Sequence, residues 1–476
     1  MRTIGTPSTQ VRKLNAIASG TLPSGDPVVV NADGTVSIIS GEAEGAGTPV
    51  IFYSSSMLNP VSTFDSNSNK VVVVYSNNNG TAVVGTVSGT SISFGSPVVF
   101  SASGLGSMAY PAVTFDSNSN KVVIAYNTST QCRAIVGTVS GTSISFGSAT
   151  AYDTSTGPWT GMAFDSNSNK VVISYARAAN SYYGTAIIGT VSGTSISFGT
   201  KVVFESARVD NTSSTFDSNS NKIVIAYKDR GNSYAATAIV GTVSGTSISF
   251  GGAAVMLLDN ANPEITFDSY NNKIVAVYAR AINSTGYAIV GTVSGTSISF
   301  GSAVVFNSSV SAAAYDLWIT FDSSNNKVVI TYQNDTLTQG TVVVGTVSGA
   351  SISFGSDAAF SSDSTEYITS TFDSNSNKVV IAYQDEGNGS VGAAAIFTVG
   401  STNLTSENYV GIASNGYNDN KAATIDVQGA INDRQSGLTA GQSYYVQADG
   451  TLTTTAGSPS VFAGTAVSAT KMIVKG

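Results

Sequence analysis

Seven segments of the chain repeat one pattern of hydrophobic and polar positions. Each has a short stretch of mixed polarity, a polar turn and then an unbroken β-branched run, as in TFDSNSNKVVIAY at 114–126. The phenylalanines of the pattern lie at positions 64, 115, 164, 216, 267, 321 and 372, in steps of 49 to 54 residues. A period of about 50 residues made only of strand-like pieces and turns predicts a β-propeller. We number these units repeats one to seven in chain order.

Each repeat is predicted to contain four strands. The first ends at Thr-Phe-Asp, and the second, KVVIAY, is a continuous β-branched run that indicates burial on both faces. The third is AIVGTVSG. The fourth begins TSISFG, where apolar Ile92 and Phe94 alternate with polar Ser91 and Ser93, as in an outer strand with one wet face. The DSNSN and SGTS clusters predict turns, and without helical periodicity the chain is expected to be all-β.

The two ends of the repeat array are expected to meet in one sheet. Repeat seven loses the common wording after Ile396, whereas TPVIF at 48–52 matches the end of the fourth strand of other repeats, such as SPVVF at 96–100. Residues 48–53 are therefore predicted to pair beside 391–399, because an uncompleted sheet would expose an unpaired edge. This gives a seven-bladed β-propeller over residues 46–404.

The segments outside the array are predicted to form a small β-rich flanking domain from residues 1–45 and 405–476. TLPSGDPVVVNADGTVS at 21–37 aligns with GLTAGQSYYVQADGTLT at 437–453, and each predicts two strands joined through an Ala-Asp-Gly-Thr turn. We expect this domain to serve attachment or oligomerisation, with the chain a homo-oligomer.

Composition narrows the classes of partner. The chain has 21 basic and 29 acidic residues, a net charge of −8 and no basic stripe, so nucleic acid is not an expected partner. No apolar run approaches the roughly 18 residues of a membrane helix, and the N-terminal segment lacks the apolar core of a secretion signal. The single cysteine, Cys132, excludes an internal disulfide and is interpreted as a small apolar filler.

The chain resembles the propeller-bearing structural and tail-fibre-like proteins of marine bacteriophages. The resemblance rests on the repeat sequence, on the opening GTLPSGDPVVVNADGTV and on the ending GLTAGQSYYVQADGTLTTTAGSPSVFAGTAVSATKMIVKG. The resemblance covers nearly the whole chain. It implies a virion structural protein on the exterior of the phage particle, in contact with other virion proteins and displayed toward the host surface. It supplies no catalytic residues. Fibre or spike, purely structural capsid or tail decoration, and glycosidase-type tailspike remain as alternatives, in that order.

Variation among the repeats is confined to the loops that join strands two and three and that join one repeat to the next. In an antiparallel meander these loops emerge on one face, and the nearly unvarying DSNSN and SGTS turns emerge on the other. Variable loops on a fixed frame usually carry recognition.

Aromatic and guanidinium groups suit sugars through stacking and hydrogen bonds. The predicted glycan contacts are Tyr110, Trp159, Arg177, Tyr182, Tyr183, Arg230, Tyr234, Arg280, Tyr287, Trp318 and Tyr367. Packing of loop on loop is the alternative, and Trp318 is also placed in a first strand at the channel wall.

The DSNSN turns place oxygen-bearing side chains at alternate positions, as calcium loops do. The candidates for weak calcium sites are Asp65, Asp116, Asp165, Asp217, Asp268, Asp322 and Asp373. Each turn offers one carboxylate and continues into lysine, so Asx-turn capping explains the same residues without metal. We therefore expect no cofactor.

An enzyme is not expected. The chain has no histidine, so only acid-pair chemistry of the glycosidase kind remains. Carboxylates do occur in the variable loops, but no motif distinguishes two of them from residues that keep a surface soluble. They are Asp153, Asp229, Asp316, Asp335, Glu366, Asp385 and Glu386.

Overall fold

The computed structural model describes residues 12–102, 110–313, 316–457 and 459–475. The chain divides into two compact units, one formed by Gly45–Val399 and the other by the segments Met1–Glu44 and Gly400–Gly476. The first unit is the repeat array and the second is the flanking region. The predicted boundary at residue 404 lies a few residues beyond the observed division.

Each repeat forms an antiparallel meander in which strands one to four are neighbours in order, so the all-β propeller prediction is confirmed. The first strands are Leu58–Asp65, Ala112–Asp116, Gly161–Asp165, Val202–Asp217, Glu264–Asp268, Leu317–Asp322 and Thr365–Asp373. The second strands are Lys70–Ser76, Lys121–Asn127, Lys170–Arg177, Lys222–Asp229, Lys273–Arg280, Lys327–Asn334 and Lys378–Asp385. The third strands are Gly80–Ser88, Cys132–Ser140, Tyr183–Ser192, Ala235–Ser244, Thr285–Ser294, Gln339–Ser348 and Val391–Thr398.

The fourth strand of each repeat is interrupted, and both of its pieces pair with the same third strand. The first piece in chain order, which follows the SGTS turn, is Ser91–Phe94, Ser143–Phe146, Ser195–Phe198, Ser247–Phe250, Ser297–Phe300 and Ser351–Phe354 in repeats one to six. The second piece in chain order is Val98–Ser101, Thr150–Asp153, the start of Val202–Asp217, Ala254–Leu257, Val304–Asn307 and Ala358–Ala359. Val202–Asp217 thus belongs to two repeats, since it ends the sheet of repeat three and begins that of repeat four. The sequence did not predict the interruption, which begins at the glycine of SISFG.

The seven first strands contact one another in a closed cycle, with the first strand of repeat seven against that of repeat one. They surround the central channel. The sheet of repeat seven is completed from the N-terminal side: Val50–Ser56 and Gly45–Ala46 both pair with Val391–Thr398. The prediction that residues 48–53 close the ring is confirmed.

The second strands form the hydrophobic core of the array. In repeat one, Val71 and Val73 pack toward repeat seven, whereas Val72 and Val74 pack toward repeat two. All four are buried, so the expected burial on both faces is confirmed. The tyrosines that follow these runs are also buried, and they are Tyr75, Tyr126, Tyr175, Tyr227, Tyr278, Tyr332 and Tyr383. In the fourth strand, Ile92 is buried and Ser91 and Ser93 are exposed, as predicted.

The flanking unit consists of two five-stranded sheets with the same strand order. In chain order the first sheet has Lys13–Ile17, Pro27–Val30, Val36–Ile38, Tyr409–Ala413 and Ala422–Asp426, and the second has Ile431–Asn432, Ser443–Val446, Leu452–Thr453, Val461–Ser468 and Lys471–Val474. The short strands Gly41–Glu42 and Ser401–Thr402 form a further pair. Both predicted Ala-Asp-Gly-Thr hairpins are present, and Asp33 and Asp449 cap their turns through the backbone N–H of Thr35 and Thr451.

The correspondence between the two sheets extends to a bulge at equivalent glycines, Gly411 and Gly464. In the sequence, the repeat array comes after strand Val36–Ile38 and before strand Tyr409–Ala413, both of which belong to the first sheet. In the second sheet the equivalent strands are joined by a short loop. The array is therefore inserted into a loop of the first of two related modules.

Helical structure among the described residues amounts to three single 3₁₀ turns: Ala178–Asn180, Arg230–Asn232 and Glu386–Asn388. A search of the described residues finds no helix that is long and apolar enough to span a membrane.

Candidate functional site

The two faces of the array differ as the topology requires. Each first strand runs from the variable loops to a DSNSN-type turn, so its first residues lie at the variable face and its aspartate lies at the other, constant face. The variable loops therefore surround one mouth of the central channel.

A cavity of about 110 Å³ lies in the channel at this variable-face end. It is lined by the starts of first strands and by residues just before them. Tyr110 and Trp318 are part of its wall, and Trp318 lies in the first strand of repeat six, as anticipated. Tyr367, in the first strand of repeat seven, donates its backbone N–H to Asp316 at 3.1 Å. The structure thus brings Tyr110, Trp318 and Tyr367 to the channel mouth.

Three carboxyl groups lie at this mouth, of which Glu264 and Asp316 are buried and Glu366 is exposed. Burial raises the pKa of Glu264, which lines the cavity, to about 8. Burial also raises the pKa of Asp316 to about 6, although hydrogen bonds from Ser311 and from the Tyr367 backbone favour its charged form. Burial and the charge of Glu386 raise the pKa of Glu366. Glu264 was missed at the sequence level because it sits within a first strand, outside the variable loops.

A second group of predicted residues gathers at the junction of repeats three and four. The Arg208 guanidinium lies 4.8 Å from the ring centre of Tyr182 and 5.5 Å from that of Trp159. Arg230 lies 5.3 Å from the ring centre of Tyr234, which is 43% exposed. These are cation–π distances. Arg208 was absent from the predicted set, and its place in a strand shared by two repeats gave no sequence signal.

The three predicted arginines are engaged by carboxylates that precede them by about 20 positions in the chain, in or near the stretch that leads from one repeat to the next. Arg177 donates to Asp153 at 2.6 Å, Arg280 donates to Asp259 at 2.7 Å, and Arg230 donates to Asp210. The Arg177–Asp153 pair ties the sheets of repeats two and three together, whereas Arg280 and Arg230 hold the connections that enter repeats five and four. These contacts support the packing alternative for the guanidinium groups, which keep side-chain exposures of 29 to 35%.

Two further predicted tyrosines lie in third strands. Tyr183 pairs in register with Arg177 on one side and Arg208 on the other. Tyr287 stacks on the buried Tyr278 at 5.8 Å and lies 6.0 Å from the Arg280 guanidinium. Both side chains are partly exposed. The eleven predicted residues therefore form several groups around the face, without a single pocket that holds them all.

The remaining acidic candidates are mostly engaged in local structure. Asp153 accepts from Tyr175 Oη at 2.9 Å as well as from Arg177. Asp229 caps a 3₁₀ turn through Gly231 N, and Glu386 accepts from Ser390 Oγ at 2.9 Å. Burial raises the pKa of both Asp335 and Asp385.

At the constant face, each repeat aspartate accepts hydrogen bonds from residues of its own turn. Asp65 accepts from the N–H groups of Asn67 and Ser68 with one oxygen, and from Ser68 Oγ with the other. The same backbone pair recurs in the other six turns. The Asx-turn interpretation is confirmed. No cluster of three or more metal-binding side chains was found among the described residues.

Packing explains why the glycine of SISFG, and the equivalent Gly47 of the closing segment, recur in the repeats. A Cβ at these positions would overlap the turn between strands three and four of the next repeat. The pairs in contact are Gly47 with Thr90, Gly95 with Thr142, Gly147 with Thr194, Gly199 with Thr246, Gly251 with Thr296 and Gly301 with Ala350.

Cys132 is buried and donates to the Ser155 carbonyl at 3.2 Å. Burial raises the pKa of its thiol to about 12, so it is unreactive packing, as interpreted.

Among solved structures, a lectin of known structure supports the fold. The BP39L lectin from Burkholderia pseudomallei superposes with a TM-score of 0.55 at 11% identity, over 74% of this chain and 99% of the lectin. The NanB sialidase from Streptococcus pneumoniae has a TM-score of 0.45 at 10% identity, over 75% of this chain and 70% of that one. Aleuria aurantia lectin has a TM-score of 0.42 at 11% identity, over 64% and 98%. No protein-family model and no curated protein matches the sequence.

Proposed function

We propose that this chain is a carbohydrate-binding β-propeller that contacts host-surface glycans through its variable face, as a non-enzymatic fibre or spike component on the exterior of a bacteriophage particle. The observation that carries the proposal is the division of the array into two faces. One is made of near-identical capped turns, and the other combines all the variable loops with an aromatic-lined cavity and several aromatic and arginine groups. A scaffold kept constant while one face varies is suited to recognition.

The chemistry of the variable face suits sugars better than it suits apolar ligands. Tyr234 presents a ring that is 43% exposed, and Tyr182, Tyr183 and Tyr287 are partly exposed beside arginines. Rings stack on the apolar face of a pyranose, while hydroxyl and guanidinium groups bond its hydroxyls. The likeness to BP39L, a lectin, agrees with this proposal.

The virion setting rests on the sequence resemblance. In this setting, the flanking unit would attach the chain to other virion proteins or to further copies of itself. Several weakly binding copies on one particle would then act together, because linked sites strengthen binding by about 10² to 10⁴.

The experiment that tests glycan binding is a glycan array probed with the purified chain, followed by titration of the best binder. We expect Tyr234→Ala to weaken that binding roughly 2- to 10-fold, the range expected for one aromatic contact. The matched control is Tyr270→Ala, which removes an exposed tyrosine from a constant-face turn. If no glycan binds, or if the two variants weaken binding equally, the purely structural decoration alternative is favoured.

A further inference from the structure

The cavity at the variable-face end of the channel holds a carboxyl group with little to balance its charge. Glu264 is 9% exposed and begins the first strand of repeat five. Among the described residues, its polar partner is the Ser213 hydroxyl, which also accepts the Ile265 N–H at 3.2 Å. No lysine or arginine is among the described residues that line the cavity. Burial therefore favours the neutral form of this carboxyl group, and a ligand that carries a positive charge would stabilise the ionised form.

The other walls of the cavity suit an organic cation. Trp318 and Tyr110 contribute aromatic rings, and Met162, Ile265 and Ile319 contribute apolar surface. An ammonium group is attracted to the faces of such rings, most strongly where water is excluded. Around the mouth, Asp316 and Glu366 add negative potential, which concentrates cations.

We propose that this cavity binds the ammonium group of a small organic cation, with the Glu264 carboxylate as counter-ion and the Trp318 and Tyr110 rings against the cation. The site is distinct from the exposed aromatic groups of the variable loops and does not depend on glycan binding by them. The ammonium could belong to an amino sugar or to a free small amine.

The proposal has a pH signature. Because the pKa of Glu264 is about 8, a permanent cation that binds at lower pH must displace its proton to solvent. The dissociation constant should fall about tenfold per pH unit between roughly pH 6 and 7.5, and should level off above pH 8. Tyr110 is the other titratable side chain in the described wall, and burial raises its pKa, so it stays neutral throughout. At the mouth, Asp316 has a pKa of about 6 and the pKa of Glu366 is also raised, so their charge adds a weaker pH dependence at the lower end of this range.

The test is calorimetric titration of the full chain with choline, and with 3,3-dimethylbutan-1-ol as its uncharged isostere. Choline is expected to bind at least tenfold more tightly at pH 7.5, and to release about one proton at pH 6.5, measured in buffers of different ionisation enthalpy. Equal binding of the two compounds, no binding of choline, or a pH-independent affinity would overturn the proposal.

Variants locate the site. Glu264→Gln should remove the pH dependence between pH 7 and 8 and weaken choline binding at least tenfold, leaving only the smaller dependence near pH 6 that comes from Asp316. Glu407→Gln, an exposed carboxylate of the flanking unit, should change neither. If Glu264→Gln lowers the melting temperature, Trp318→Leu tests the same site by loss of affinity with the pH dependence retained. Competition by glucosamine but not by glucose would assign the amine to a sugar, and choline binding without glucosamine competition would assign it to a free small amine. Choline binding unchanged in both variants would place it elsewhere and overturn the proposal.

Discussion

At the residue scale, the glycines of SISFG show how much the repeat wording encodes. Each lies where the backbone of the next repeat leaves no room for a side chain, so its recurrence marks a contact between sheets. Gly355 is the informative exception. The next repeat lacks the usual turn, and the nearest atom to a Cβ there would be the Val344 carbonyl oxygen at 3.8 Å. The sequence indicates the same break, since repeat seven loses the common wording.

Gly147→Ala is therefore expected to destabilise the array by about 1–3 kcal/mol, because the added methyl group must displace the Thr194 backbone. Gly355→Ala is the matched control, with the same substitution in the same strand context but with room for the methyl group. The measurement is the midpoint of urea unfolding for both variants. Similar midpoints would show that the inter-sheet contact at Gly147 yields easily.

Residue roles that depend on distant partners could not be predicted. Arg177 is predicted as a glycan contact, and its ion-pair partner Asp153, which lies 24 positions earlier in a different repeat, could not be identified from the sequence. Glu264 was not singled out because a glutamate in a first strand looks like any other variant of that position. Only the ring of first strands places it in a cavity. By contrast, the repeat aspartates form contacts two or three residues away, and local spacing was enough to predict their capping role.

At the element scale, the periodicity predicted which strands occur and in what order. It did not predict where a strand is interrupted or where one strand continues into the next repeat. The interruption of the fourth strand and the continuous Val202–Asp217 depend on packing against neighbouring repeats. The duplication of the flanking sheets was only partly visible. Its hairpins share an Ala-Asp-Gly-Thr turn, but the three remaining strands of each sheet share mainly a glycine at a bulge, a signal too short to recognise in isolation.

The Asp153 contact between repeats two and three gives an element-scale prediction. Burial by itself would raise the pKa of Asp153, but hydrogen bonds from Arg177, Ser155 and Tyr175 outweigh it and hold the pKa below its ordinary value of 3.8. The carboxylate thus contributes stability above pH 3.8, and this contribution is lost as the pH falls through the lower pKa of the folded state.

Asp153→Asn should accordingly destabilise the array by about 1–3 kcal/mol at pH 7, the usual worth of hydrogen bonds to a charged group. Urea unfolding at pH 7 and at about pH 2.5 measures the effect, and the difference from the parent chain should shrink at the lower pH. Asp433→Asn is the control, since its pair with Arg434 is 62% exposed on the aspartate side. A difference that is the same at both pH values would mean that shape, and not charge, holds this junction.

At the scale of the whole molecule, the chain separates a constant frame from its variable surface. Local pairing builds each sheet, glycine contacts and ion pairs join neighbouring sheets, and one strand from the N-terminal side completes the last sheet. The array is thus complete within residues 45–399, although the chain enters and leaves it through the flanking unit. Its insertion in a loop of the first flanking module requires that its two ends lie close together, and the closing strand achieves this.

This arrangement predicts that a fragment of residues 45–399 folds by itself, whereas a fragment of residues 58–399 does not. The shorter fragment lacks Val50–Ser56, so the third strand of repeat seven would present a full row of unpaired backbone groups and the apolar side chains that Phe52 normally covers. We expect the longer fragment to be monodisperse in gel filtration with a cooperative thermal transition, and the shorter one to aggregate or to melt without cooperativity. The choline affinity of the longer fragment should equal that of the full chain, because every described residue of the cavity lies within residues 45–399. Equal melting temperatures for the two fragments would show that the ring is held by contacts between sheets, and that the closing strand adds little.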